Sequence, residues 1–367
     1  MDGQRTVLFC RRETLFILRV ENLGKWAETV QTDFGRSYVD MTFERRHTKI
    51  SLLPNMTYER SKHVLLPLLS NAQLSDSFYT KTCPSVLDIV KSNVRSAINR
   101  DKRMGASLLR LFFHDCFVSG CDAGVLLDEN LPTIDSEKNA RPNRNSIRGF
   151  ELIDKIKDAV DKACPGPSVS CSDILAITAR DSVVELGGPS WSVPLGRRDA
   201  RTANRNGAEN LPSPFADLPE LIKNFSDKGF TAKEMVVLSG AHSVGVARCV
   251  LFRDQLYNGT NIETLVATDR KSKCPSNGGD DNLSSIDHQS PNRFGNNYFQ
   301  ALVNRRGLFH SDQELFNGGS TDDMVRVYSK DSDKFYTDFA NAMIKLGNLN
   351  PLTGNKGEIR KNCRKLN

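Results

Sequence analysis

From about residue 84 onward, apolar residues return with the 3.6-residue period of an α-helix in one segment after another. Val86, Ile89, Val90, Val94, Ala97 and Ile98 form one stripe, and Phe150, Ile153, Ile156, Val160 and Ala163 form a second. A third helix is expected from about Ser172 to Leu186, stopped by Gly187-Gly188. Later stripes run from Leu218 to Phe225, from Tyr298 to Val303 ahead of Gly307, and from Phe335 to Leu346 ahead of Gly347. Gly, Pro and Asn cluster between the stripes and read as loops. Long alternating strand patterns are absent, so the fold class is mainly α. At 367 residues the chain can bury a core in one large or two intimate domains.

Residues 1–72 stand apart. They show no sustained period and no domain signature, and are expected to be non-catalytic and poorly ordered. Residues 64–72, Val-Leu-Leu-Pro-Leu-Leu-Ser-Asn-Ala, look like the end of a signal sequence, with small residues at Ser70 and Ala72 just before Gln73. The run is short and broken by Pro67, and Met1 is followed by no recognisable signal. Either the start lies elsewhere, with Met56 a candidate, or the leader has been altered. The net charge of +6 comes from mixed acidic and basic residues, too mild and dispersed to argue for nucleic acid. No apolar run approaches the roughly 18 residues of a membrane span.

The most informative chemistry lies in Arg110-Leu111-Phe112-Phe113-His114-Asp115-Cys116-Phe117. On a helix, Arg110 and His114 are one turn apart and share a face, while Asp115 points about 100° away. A fixed cation beside a proton acceptor suits heterolysis of a peroxide. The imidazole would move a proton between the two oxygens, and the guanidinium would stabilise the charge that develops. An Arg/His pair at this spacing also occurs on ordinary surface helices, so the neighbouring residues must decide. The chain has six histidines. His47, His63, His288 and His310 lie in polar or unpatterned contexts, whereas His114 and His242 sit in apolar stretches with small residues nearby. Two such histidines fit a haem site, one as axial ligand and one in the catalytic pocket; core packing is the plainer reading of His242.

Eight of the nine cysteines fall between Cys83 and Cys363. An even set in a loop-rich chain reads as a disulfide framework in an oxidising compartment, against a set of reduced buried thiols. Spacing alone does not decide the connectivity. Sequons at Asn224, Asn258 and Asn282 are compatible with glycosylation in the same compartment.

From about Gln73 to the C-terminus the chain resembles the secretory (class III) plant haem peroxidases. The matching blocks include Gln73-Leu74-Ser75, Cys83-Pro84, Ser107 to Val118, Gly120-Cys121-Asp122-Ala123, Glu137-Lys138-Asn139-Ala140 and Val169-Ser170-Cys171. Further on come Gly187-Gly188-Pro189-Ser190-Trp191, Leu195-Gly196-Arg197-Arg198-Asp199, Asn210-Leu211-Pro212, Leu238 to Gly245, Ser311 to Phe316 and Gly357 to Cys363. The blocks stand in family order.

The resemblance implies a plant-type haem peroxidase fold over 73–367, with two helical halves enclosing haem b. It implies the pairs Cys83–Cys164, Cys116–Cys121, Cys171–Cys363 and Cys249–Cys274, leaving Cys10 unpaired. His114 would be the acid–base catalyst, Arg110 the electrostatic stabiliser and His242 the axial ligand. Asp312 would accept the ring N–H of His242, and Asn143, through Glu137, would keep His114 basic. Phe113 favours the secretory branch, since intracellular ascorbate- and cytochrome-type relatives often carry Trp there. Pro212 matches the loop where phenolic donors approach.

Two Ca²⁺ sites are also implied. The distal site would draw on Asp115, Val118, Gly120 and Asp122, and the proximal site on Ser243, Asp287, Ser290 and Arg293. Gly124 replaces a usual Ser and Gly295 a usual Asp, so each site lacks one side-chain oxygen and restoring it is expected to strengthen binding. Ile286 stands where an aromatic that packs on the axial histidine is frequent. The expected partners are H₂O₂ and small phenolic donors, with no nucleic acid and no membrane span, in a monomer secreted to the cell wall or vacuole. The competing expectations are a haem- and calcium-binding wall protein with little turnover and an intracellular ascorbate-type enzyme.

Overall fold

Val86, Val90, Val94, Ala97 and Ile98 line the buried face of α1 (Val86–Arg100), which is why that stripe folds as a helix against its neighbours. The structure is a computed structural model. It describes residues 74–129, 134–166 and 168–367, together with the backbone of four strands nearer the N-terminus. Helices α2 (Arg103–Cys116), α3 (Phe150–Ala163) and α4 (Cys171–Glu185) complete the first half. Helix α4 packs on α1, α2 and α3. It is buried on nearly every side, from Cys171 through Val183, so its sequence carries little amphipathic contrast. The Ser170 side chain caps it by accepting the Asp173 N–H at 3.1 Å.

The second half is built from α5 (Leu218–Ser226), α6 (Ala232–Ser239), α7 (Asn297–Val303), α8 (His310–Glu314), α9 (Asp322–Lys330) and α10 (Ser332–Gly347). Helix α6 starts with a capping box between Thr231 and Glu234. It packs on α5 and α10, while α9 closes on α7. A two-stranded ribbon pairs Val246–Arg248 with Leu283–Ser285. The result is mainly α, with two helical lobes packed together.

Buried hydrogen bonds and disulfides fasten segments that are far apart in the sequence. Arg197 is fully buried; its Nη1 donates to Asp173 Oδ1 at 2.8 Å, and its Nη2 donates to the Gly347 carbonyl at 2.6 Å. It thereby joins the start of α4 to the end of α10. Disulfides link Cys83 to Cys164, Cys116 to Cys121, Cys171 to Cys363 and Cys249 to Cys274. The Cys171–Cys363 bond spans 192 residues, for which the chain-entropy model gives about 5 kcal/mol of stabilisation.

Residues 1–71 form a unit of their own. In it β1 (Gln4–Arg11) pairs antiparallel with β2 (Thr14–Glu21), and β3 (Asp40–Phe43) with β4 (Arg46–Lys49). The sequence reading assigned no regular element there, and these hairpins correct it. Val7-Leu8-Phe9 and Leu15-Phe16-Ile17-Leu18 are short continuous apolar runs, whose periodicity does not separate strand from helix. The signal-like run 64–72 and the side chain of Cys10 lie outside the described residues. Among the described residues, no helix is long and apolar enough to cross a membrane.

Candidate active site

Helix α2 carries Arg110 and His114 on one face, and the two side chains meet: Arg110 Nε donates to His114 Nε2 at 3.2 Å. His114 Nδ1 lies 2.5 Å from Asn143 Oδ1. The amide oxygen can only accept, so Nδ1 carries the proton and Nε2 keeps its lone pair. His114 is buried, and burial, followed by the Arg110 charge, pushes its pKa down to about 3. The ring is therefore a neutral base at ordinary pH. Asn143 is itself held by the Glu137 main-chain carbonyl at 2.8 Å.

Arg110 is anchored by groups the sequence did not single out. Nη2 donates to the Pro142 carbonyl at 2.7 Å and to Ser146 Oγ at 3.0 Å, and Nη1 donates to the Ser146 carbonyl at 3.1 Å. Burial lowers its pKa to about 10, which leaves it a cation at neutral pH. Phe113 meets the His114 ring edge on, with centroids 5.9 Å apart, and stacks on Phe117 with centroids 4.8 Å apart.

In the other lobe α6 ends in a tight turn over Gly240–Ser243 that presents His242. A side chain at Gly240 would press on the Phe335 ring at 2.5 Å, so only glycine lets the turn pass. His242 Nδ1 bonds Asp312 Oδ1 at 2.7 Å, and the same oxygen accepts the Tyr298 hydroxyl at 3.0 Å. The Phe309 N–H donates to Asp312 Oδ2 at 3.2 Å. Tyr298 was not foreseen, since a tyrosine at a helix start has no distinguishing pattern. Phe309 meets the His242 ring at 5.4 Å, edge on. It thus supplies the aromatic contact missing at Ile286, which packs with Phe309 in the same apolar cluster.

His242 is 41% exposed although its partner Asp312 is 3% exposed. An imidazole with Nδ1 committed and its ring open to a space suits a ligand bound through Nε2. A neutral His114 beside Arg110 suits the catalytic side of such a site. The residues present therefore fit a haem. Pro212 is half-buried in a loop whose Pro214 carbonyl accepts the Ser311 N–H at 3.1 Å, next to Asp312.

The implied calcium residues fall into two groups. Asp115, Asp122 and Glu137 are all buried. Asp115 accepts the Asp122 and Ala123 N–H groups at 3.1 and 3.0 Å, and Asp122 accepts that of Gly124 at 2.9 Å. Burial raises the pKa of Asp122 to about 6 and that of Glu137 to about 8, and also raises Asp115. The Val118 carbonyl accepts Lys228 Nζ at 2.8 Å, which uses one of its two lone pairs. Gly120 has φ +110°, and a Cβ there would lie 2.6 Å from the Asn350 carbonyl oxygen, so glycine is required.

In the second group Ser290 Oγ donates to Asp287 Oδ2 at 2.6 Å, and Ser243 Oγ accepts the Gly295 N–H at 3.4 Å. The Arg293 N–H donates to the Ser290 carbonyl at 3.0 Å. Among the described residues, the His, Cys, Asp and Glu ligand atoms that gather within 4.8 Å belong to Asp217, His310 and Glu314, a partly exposed trio not singled out in the sequence.

Comparison with known proteins agrees with this geometry. The family model described as Peroxidase matches residues 90–331. Peroxidase 4 of Vitis vinifera is 55% identical over 301 residues, covering 81% of this chain and 93% of the relative. Peroxidase P7 of Brassica rapa subsp. rapa is 56% identical over 298 residues, covering 80% of this chain and all of the relative. The lignin-forming anionic peroxidase of Nicotiana sylvestris is 52% identical over 299 residues, covering 81% and 92%. With these matches over a haem-compatible pair of histidines, the chain belongs to the secretory (class III) plant haem peroxidases, enzymes that reduce hydrogen peroxide while oxidising phenolic donors.

Proposed function

We propose that residues 73–367 are the peroxidase domain, that His114 is its acid–base catalyst and Arg110 its electrostatic stabiliser, and that His242 is its axial ligand. Membership of the family implies haem b and Ca²⁺ as cofactors and a secreted protein. When bound, haem b supplies an iron centre that binds the peroxide and exchanges electrons with it and with the donors. His114 Nε2, held as an acceptor by Asn143, takes the proton from one peroxide oxygen and returns it to the other, which leaves as water. Arg110 stabilises the negative charge on the departing oxygen. Asp312 holds the Nδ1 proton of His242 and makes the ring a stronger electron donor. Phenols would approach by the Pro212 loop, each giving up one electron and a proton. The likeness to the lignin-forming peroxidase of Nicotiana sylvestris favours lignin-type phenols as the donors.

The observation that carries this reading is the Arg110–His114–Asn143 arrangement, which leaves a neutral imidazole nitrogen beside a guanidinium. His114→Ala should retain haem but react with H₂O₂ roughly 10²–10⁴-fold more slowly. Stopped-flow rates equal to wild type would reject the role.

For calcium, the distal site would take Asp115, Asp122 and the carbonyls of Val118 and Gly120. The proximal site would take Ser243, Asp287, Ser290 and the Arg293 carbonyl. Buried carboxylates with raised pKa values support the distal site, since a divalent cation would offset their charge.

A further inference from the structure

We propose that Tyr298 sets the electron-donating strength of His242 by sharing the acceptor oxygen of Asp312. The inference rests on the reading of His242 as axial ligand. Tyr298 lies in the first turn of α7, is buried, and donates its hydroxyl to Asp312 Oδ1 at 3.0 Å. The same oxygen is 2.7 Å from His242 Nδ1. The other carboxylate oxygen is occupied by the Phe309 N–H. Asp312 thus serves three donors, two of them on one oxygen.

A carboxylate oxygen has lone pairs for two donors, so the arrangement is satisfied. The donors still compete for one pool of negative charge, and in a buried site little water dilutes the competition. Burial, and then the Asp312 charge, hold the phenol pKa well above its ordinary value, so the hydroxyl stays a donor. Each share of charge that Tyr298 draws weakens the pull on the His242 N–H. The imidazole then donates less strongly through Nε2. The tyrosine ring itself meets the imidazole edge on at 6.2 Å, and Phe at this position would keep that packing.

This arrangement gives a sign that a merely structural role does not. Tyr298→Phe deletes only the competing donor, so Asp312 pulls harder on His242, the imidazole becomes more basic, and the ferric state is favoured. A loosened pocket would instead weaken the imidazole and favour the ferrous state. Asp312→Asn, which removes the carboxylate charge, moves the potential upward.

The test is the Fe(III)/Fe(II) midpoint potential of the full-length haem-loaded protein and its two variants. Tyr298→Phe should increase the preference for ferric iron roughly threefold to tenfold, a downward shift of about 30 to 60 mV at 59 mV per decade. The iron–histidine stretching frequency should rise in parallel. If Asp312→Asn shifts the potential up while Tyr298→Phe leaves it unchanged or raises it, the role of Tyr298 is overturned and the axial reading stands. If neither variant moves the potential, the His242–Asp312 reading fails and the proposal fails with it. Should Tyr298→Phe not retain haem, 3-fluorotyrosine placed at position 298 keeps the fold and is a stronger donor. It should raise the potential, and a fall or no change would overturn the proposal.

Discussion

The main-chain carbonyl of Glu137 accepts a 2.8 Å hydrogen bond from Nδ2 of Asn143. The support behind His114 therefore runs through a backbone group, and the Glu137 carboxylate is turned elsewhere. Its Oε1 accepts the Asn204 N–H at 2.9 Å, and its buried Oε2 has no hydrogen-bond partner among the described residues.

Asn143→Val should slow the first reaction with H₂O₂ about 10-fold to 100-fold, less than loss of the base itself. Without Asn143 Oδ1 the Nδ1 proton of His114 has no acceptor, and the tautomer with Nε2 free is no longer enforced. Glu137→Gln keeps the carbonyl that orients Asn143, so its effect on that rate should be smaller. Stopped-flow traces rank the two variants, and a larger loss in Glu137→Gln would contradict the backbone relay.

The pH dependence follows from the same ring. His114 titrates near pH 3 in the folded protein, below its ordinary 6.5, because burial and the Arg110 charge disfavour the imidazolium. The rate with H₂O₂ should therefore stay flat from pH 8 down to about pH 5, with no break near 6.5. Stability has its own sign. Between pH 6.5 and about 3 the unfolded chain binds a proton that the folded one does not. The contribution is full above 6.5 and is lost as pH falls through that window, by about 1.4 kcal/mol per unit at most. Denaturation curves for His114→Ala should accordingly fall less steeply with acid than those of wild type.

The parts of this site that were legible in the sequence are those that follow a local rule. Arg110 and His114 are one turn apart on a periodic helix, so their meeting is a consequence of spacing. Asp312, 70 residues from His242, has no such rule and was named only through the family motif. Pro142, Ser146 and Tyr298 were missed because they act across 32, 36 and 14 residues through main-chain oxygens or an ordinary hydroxyl. The Glu137 carbonyl belongs with them, since a backbone acceptor leaves no mark on residue type. The helices were readable because burial on one face writes a period into the sequence. Helix α4, buried all round, was bounded by its Gly187-Gly188 stop as much as by periodicity.

The two glycines at the proposed calcium sites should behave differently when their usual side chains are restored. The sequence suggests that Gly124→Ser and Gly295→Asp both add a missing ligand. At Gly295 a side chain would meet only the Tyr336 hydroxyl, at 3.6 Å, an ordinary contact. A carboxylate there adds charge to the proposed ligand set, and more ligand charge means tighter Ca²⁺ binding. At Gly124 an added Cβ would lie 2.7 Å from Glu137 Oε1 and 3.0 Å from Asp122 Oδ1. A serine could enter only by pushing the Glu137 carboxyl group aside, so it would gain a hydroxyl while displacing a buried acidic side chain. Binding of Ca²⁺ to the folded state raises apparent stability by mass action, so the gap in melting temperature between calcium-loaded and chelated protein reports occupancy. At a fixed free Ca²⁺ concentration, Gly295→Asp should raise the melting temperature of the loaded protein and tighten one site in a calorimetric titration by about tenfold. Gly124→Ser should leave the distal affinity unchanged or lower it. A gain from Gly124→Ser equal to that from Gly295→Asp would show that the Glu137 carboxylate yields its place without cost.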